Sequence, residues 1–186
     1  MNNNPNITME NDAVFFARGS IVEIGNPEVQ FLKERIAGQS RQNIRLCMHK
    51  DMADPLHEML ILHSKTTYVR PHKYFEKSVS YHIIEGIADL VLFDDRGILQ
   101  DVIPMGEYVT RRRFYYRLNK GCYYAPIVRS DFFLFHEVTS GPFKTSDTIY
   151  PPWAPDGSDA ATVIRFQEEL TSKANIFLQS RRKNDA

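Results

Sequence analysis

The sequence predicts a single, mainly β domain, a sandwich or barrel, with a short helix before it and another helix after it. Three observations carry that expectation. From Asn43 onward the period is two, with Ile44, Leu46 and Met48 set between Asn43, Arg45, Cys47 and His49. The apolar runs that follow are many, short and broken by turn chemistry, as at Asp94-Asp95-Arg96-Gly97. Helix-compatible stretches flank this region at its two ends.

Residues 1–12 are polar, with Asn2, Asn3, Asn4 and Asn6, and are expected to be flexible. The 13–40 segment reads as strands and a helix. Ala13 to Ala17 and Ile21 to Ile24 are short and apolar, so they read as strands or strand-like arms. Asn26-Pro27-Glu28 is a helix start: Asn26 can cap, Pro27 suits the first position, and Glu28 favours the positive end of the dipole. Phe31, Leu32 and Ile36 share one helical face, and Gly38 is a stop.

Barrel strands are expected across 41–157, at residues 43–49, 59–63, 67–69, 79–84, 88–93, 98–103, 114–118, 123–128 and 132–138. Beyond Pro151-Pro152, a helix from Asp159 to about Leu178 leads into a polar tail with Arg181, Arg182 and Lys183, within the last segment, 158–186.

Composition excludes several classes. Lys and Arg number 23, as do Asp and Glu, so no net charge draws the chain toward nucleic acid or an anionic membrane. No apolar run approaches the length of a membrane span, and the N-terminus lacks the charged start and apolar core of a secretory signal. Cys47 and Cys122 are too few and too far apart for a disulfide framework. A cytoplasmic protein is expected.

Arg70 to Gly86 reads Arg-Pro-His-Lys-Tyr-Phe-Glu-Lys-Ser-Val-Ser-Tyr-His-Ile-Ile-Glu-Gly. His72 and Tyr74 are two apart, so on a strand they leave the same face. That rhythm resembles the first motif of the cupin superfamily, in which His-x-His, then Glu, then Gly line a small β-barrel. Gly121-Cys122-Tyr123-Tyr124 resembles the second motif, a Gly followed by a His. Tyr68 to His72, Phe93 to Gly97, His136 to Phe143 and Trp153 to Pro155 are similar to the WbuC-type cupins, found with O-antigen and capsule biosynthesis. The resemblance runs from about Arg41 to Pro155. It implies a cupin-type double-stranded β-barrel, or jelly roll, with a pocket at its mouth.

The chemistry departs from the family pattern. Tyr74, Val79 and Tyr124 stand where relatives carry His, Glu and His, and His72 alone remains of the ligand set. A zinc or non-haem iron site normally takes three or more ligands from His, Cys, Asp or Glu, so no metal and no other cofactor is expected. If Val79 faces inward, Tyr81 does too, and Phe133, Phe135 and Glu137 share one face of a later strand.

The expected ligand-binding residues are therefore His72, Tyr74, Tyr81, Tyr124, Arg45 and His49. A catalytic set would be His72, Tyr124 and Glu137, with imidazole as base, phenol as acid and the carboxylate orienting. For His72 a core histidine bonded to a tyrosine is the alternative, and for the tyrosines an ordinary aromatic core. For Arg45 the alternative is a surface salt bridge. The run Arg111-Arg112-Arg113 reads as a solvated loop or strand start ahead of a phosphate clamp.

Two functions follow as expectations. One is a cupin with a degenerate metal site that binds a small carbohydrate or nucleotide-sugar-like metabolite in surface polysaccharide synthesis. The other is a metal-free sugar isomerase or epimerase, and a divergent metalloenzyme stands third. The expected partner is a sugar-like small molecule, with a homodimer left open.

Overall fold

The computed structural model describes residues 6–37, 42–119 and 121–184. Gly38, Arg41 and the Asn-rich start at 2–4 lie outside the described residues. The strands are β1 (Ile7–Asn11), β2 (Val14–Ala17), β3 (Asn43–Cys47), β4 (Leu56–Ser64), β5 (Lys73–Tyr74), β6 (Val79–Glu85) and β7 (Ile87–Phe93). They continue with β8 (Leu99–Gly106), β9 (Tyr115–Leu118), β10 (Tyr123–Val128), β11 (Phe132–Ser140) and β12 (Thr148–Ile149). The helices are α1 (Asn26–Ala37) and α2 (Ala160–Asn184).

One sheet has the order β1-β2-β3-β4-β11-β6-β9, and a second has β10-β7-β8. A backbone bridge from His72 to Tyr124 brings the β5–β12 pair alongside β10, which widens the second sheet. The strands named here pair antiparallel, except β2 with β3. The chain passes from one sheet to the other at Gly86, whose φ is +83°. A Cβ at that point would lie 2.1 Å from the Phe132 carbonyl oxygen, so only glycine fits the corner. The two sheets close on a shared core of Val79, Tyr81, Phe133 and Phe135 against Leu90, Met105 and Tyr124. The fold is mainly β, a cupin-type double-stranded barrel with a helix at each end of the chain.

The outer faces explain why so many strands are apolar on both sides. Ile44, Leu46, Leu60, Leu62 and Leu134 turn away from the barrel and bury Leu32 and Ile36 of α1. On the other sheet, Val91, Val102 and Ala125 take Leu170 and Ala174 of α2. Complete burial of a leucine such as Leu32 contributes about 1.5–3 kcal/mol. Glu28 accepts a hydrogen bond from the Gly25 backbone N–H at 2.8 Å, securing the start of α1. Asp159 caps α2 through the Ala161 N–H at 3.1 Å and the Thr162 hydroxyl.

Several segments differ from the expectation. Ile21 to Ile24 form a loop into α1 and not a strand. Thr67 to Val69 lie outside any ladder; Gln167 of α2 donates to the Thr67 carbonyl and Tyr68 to the Pro155 carbonyl. Strand propensity alone does not create a strand where no sheet edge is within reach. Residues 7–11 form β1 although most of their side chains are exposed, because pairing with β2 satisfies the backbone. α2 runs past Leu178 to Asn184, with Arg181, Arg182 and Lys183 at the negative end of its dipole. Among the described residues no helix is long and apolar enough to cross a membrane.

Candidate functional site

The period of two places Phe133, Phe135, Glu137 and Thr139 on the barrel side of β11. The ladders set Glu137 opposite Met59 of β4 and Tyr81 of β6. Glu137 is 6% exposed. Burial drives its carboxyl up to about 7, opposed by the charge of Arg45 and a hydrogen bond from Tyr81. The Tyr81 hydroxyl also faces the Tyr124 hydroxyl at 3.5 Å. Its single proton serves the carboxylate better, since a charged acceptor makes the stronger bond.

Glu137 lies on a cavity of about 80 Å³, lined also by Arg45, Cys47, His49, His57 and Tyr74. That is small beside the roughly 300–1,000 Å³ of pockets for drug-sized ligands, so the enclosed part suits one small polar group or molecule. Lys77, Lys144 and Asp147 complete the rim, and Lys77 pairs with Asp147 at 2.7 Å. Arg45 is exposed and makes no ion pair among the described residues. On the cavity wall its charge acts on Glu137, Cys47 and Tyr74.

Arg45, His49, Tyr74 and Glu137 are thus brought together, from β3, the turn after it, β5 and β11. His72, Tyr81 and Tyr124 form a layer beside the cavity and do not line it. Tyr124 is 0% exposed and Tyr81 5%, both inside the core cluster, so neither offers a free ring face. Burial raises the phenols of Tyr74, Tyr81 and Tyr124, keeping them protonated. His72 donates from Nδ1 to the Arg70 carbonyl at 2.9 Å, and its ring sits 4.6 Å from that of Tyr124 and 5.5 Å from that of Tyr74. Burial lowers the His72 pKa, opposed by the bond to Arg70. The orienting partner of this imidazole is a backbone carbonyl, not Glu137.

The donors at the four motif positions do not fit a metal. Val79 has no donor atom and is 1% exposed, and the two phenols are held protonated. Among the described residues no group of three or more His, Cys, Asp or Glu side chains is arranged to hold a metal ion.

Sequence reasoning missed His57, Lys77 and Asp147 and did not place Cys47 at the site. Burial does push the Cys47 thiol up to about 11, which suits an unreactive thiol. The available signal for His57 was its place two before Met59 on β4, in phase with the inward residues. In the arginine run, Arg112 lies 3.6 Å from the buried Asp89, which Arg129 holds at 2.8 Å.

A family model described as Domain of unknown function (DUF6016) matches residues 25–105. None of the curated proteins compared matches the chain. Solved structures that it resembles include a protein from Shewanella oneidensis, at 15% identity over 55% of this chain and 66% of that one, with a TM-score of 0.45. Oxalate decarboxylase from Bacillus subtilis matches at 16% identity, over 53% of this chain and 25% of that one, TM-score 0.41. A cupin domain from Schizosaccharomyces pombe matches at 11% identity, over 54% and 66%, TM-score 0.42. The chain covers less than two thirds of the length of each.

Proposed function

We propose that this chain is a metal-free cupin-type binding protein whose Glu137 cavity takes a small, sugar-like ligand. The observation that carries the reading is Glu137 itself, a carboxyl 6% exposed on the wall of a cavity. A group titrating near 7 in such a place can accept from, or donate to, a ligand hydroxyl. Tyr74 supplies a neutral phenol beside it, and Arg45 an uncommitted guanidinium suited to a phosphate or carboxylate on the ligand. The similarity to WbuC-type motifs supports a place in surface polysaccharide synthesis and a cytoplasmic location.

The same carboxyl favours a second reading, a metal-free isomerase or epimerase. Its pKa lies near working pH, as general acid–base catalysis requires. Glu137 and Tyr74 then take the base and acid roles expected from the sequence for His72 and Tyr124.

Thermal-shift and NMR screens with monosaccharides, sugar phosphates and nucleotide sugars test both readings. At least one ligand is expected to bind, with a loss of about tenfold or more in Glu137→Gln and in Arg45→Ala. Absence of any ligand, or binding indifferent to both substitutions, overturns the assignment. Turnover of a bound sugar selects the second reading.

A further inference from the structure

His49 and His57 have no part in the function proposed above, yet both face the same cavity. Their rings stack with centroids 3.9 Å apart and planes 13° from parallel. They are 6% and 3% exposed, and the Nε2 atom of each has no hydrogen-bond partner. Backbone groups hold the other ring nitrogens. His49 Nδ1 lies 3.0 Å from the Glu58 carbonyl oxygen, and the His57 ring is hydrogen-bonded to the Met52 backbone. Each imidazole is fixed with one nitrogen left over. Gly141 packs against that edge of His57, where a Cβ would sit 2.8 Å from Nε2, so only glycine fits beside the ring.

Two buried, unpaired ring nitrogens side by side call for a partner, because a buried polar atom left unmet is destabilising. A metal is a poor one. Near-parallel rings do not converge on one tetrahedral centre, and no third ligand completes a set among the described residues. An oxyanion is a good one. A protonated imidazole presents an N–H at Nε2, and with Lys77 spent on Asp147 the wall retains Arg45 and Lys144 against Glu137.

We propose that the His49–His57 pair is the acid-binding end of this cavity, taking the carboxylate of a small hydroxy acid while Glu137 and Tyr74 hold its hydroxyl end. This rests on the Glu137 cavity being a ligand site. The pair gains one proton from solvent as the anion binds; the ligand stays a carboxylate and no covalent bond changes. Burial, then the neighbouring His49, lowers the His57 pKa, which disfavours the imidazolium unless an anion faces it.

Groups facing the pair include Asp54 ahead of β4, Lys77 after β5 and Glu137 of β11. Arg45 and Cys47 face it from β3, Tyr74 from β5, and Lys144 and Asp147 from the segment after β11. Glu137 itself titrates at about 7, so the test must read the histidines directly.

The full chain, labelled with ¹⁵N, is titrated with glycolate and separately with ethylene glycol, and the ring nitrogens are followed by NMR. Saturating glycolate at pH 7 is expected to convert one ring of the pair to imidazolium. Glycolate affinity is expected to fall about tenfold per pH unit above pH 7, a one-proton linkage. His57→Gln should reduce that dependence and weaken glycolate about tenfold. Glycolate binding with both rings neutral overturns the inference, as does undiminished glycolate binding in His57→Gln. If neutral polyols bind and glycolate binds no better, this inference falls while the Glu137 reading stands. If neither binds, both fall. The ring-nitrogen readout uses the unaltered protein, so a variant that fails to fold leaves the test intact.

Discussion

Glu137 and Tyr81 stand directly opposite each other on β11 and β6, both inside the barrel, with the phenol hydrogen-bonded to the carboxyl. The pair joins two different environments. Behind Tyr81 lies the closed aromatic core with Tyr124, Phe133 and Phe135; in front of Glu137 lies the cavity. The tyrosine thus transmits the packing of the core to the one buried carboxyl of the site.

Ionising Glu137 should cost stability. Its folded pKa, about 7, lies above the ordinary 4.5, so between those values the folded state binds more protons than the unfolded one. Stability from this group is full below pH 4.5 and lost as pH rises to 7, by about 3 kcal/mol. Urea denaturation of the wild type and Glu137→Gln at pH 5 and pH 7.5 checks it. Parallel pH trends in the two proteins would contradict the burial.

His63 should act with the opposite sign. It is 7% exposed, its Nδ1 has no partner among the described residues, and burial lowers its pKa from 6.5 to about 4. The unfolded state binds the extra proton between those values, so stability falls as pH drops from 6.5 toward 4, by roughly 3 kcal/mol. His63→Leu should remove this acid-side loss, leaving the Glu137 trend exposed in the same titration.

Gly86→Ala should destabilise by roughly 3 kcal/mol or more, since φ is +83° and the new Cβ meets the Phe132 carbonyl oxygen at 2.1 Å. Thermal unfolding measures this. A melting temperature within a few degrees of wild type would mean that the corner between the sheets relaxes.

Tyr74→His, Val79→Glu and Tyr124→His together should create a metal site with His72. The rings at 74 and 124 already lie 5.5 and 4.6 Å from His72, and Val79 belongs to the same core cluster. Without metal the buried carboxylate at 79 costs a few kcal/mol, and added zinc should restore part of it, since a ligand of the folded state stabilises that state. A folded triple variant with no zinc-dependent rise in melting temperature would show that these positions do not converge.

Strand phase, turn chemistry and caps are local, and they are legible along the chain. Alternation set Glu137 on the face of Phe133 and Phe135 and aligned Arg45 with Cys47. Asp94 to Gly97 closed a hairpin, and Asp159 began α2. Which inward residues meet a cavity and which fill the core is not local. It depends on β11 lying between β4 and β6, strands distant in sequence. That order puts His57, with Lys77 and Asp147 on the rim, around Glu137, and seals Tyr81 and Tyr124 behind it. A strand's sequence says which way a side chain points; only the closed barrel decides whether space or another side chain awaits it there, because close packing is a property of all the neighbours together.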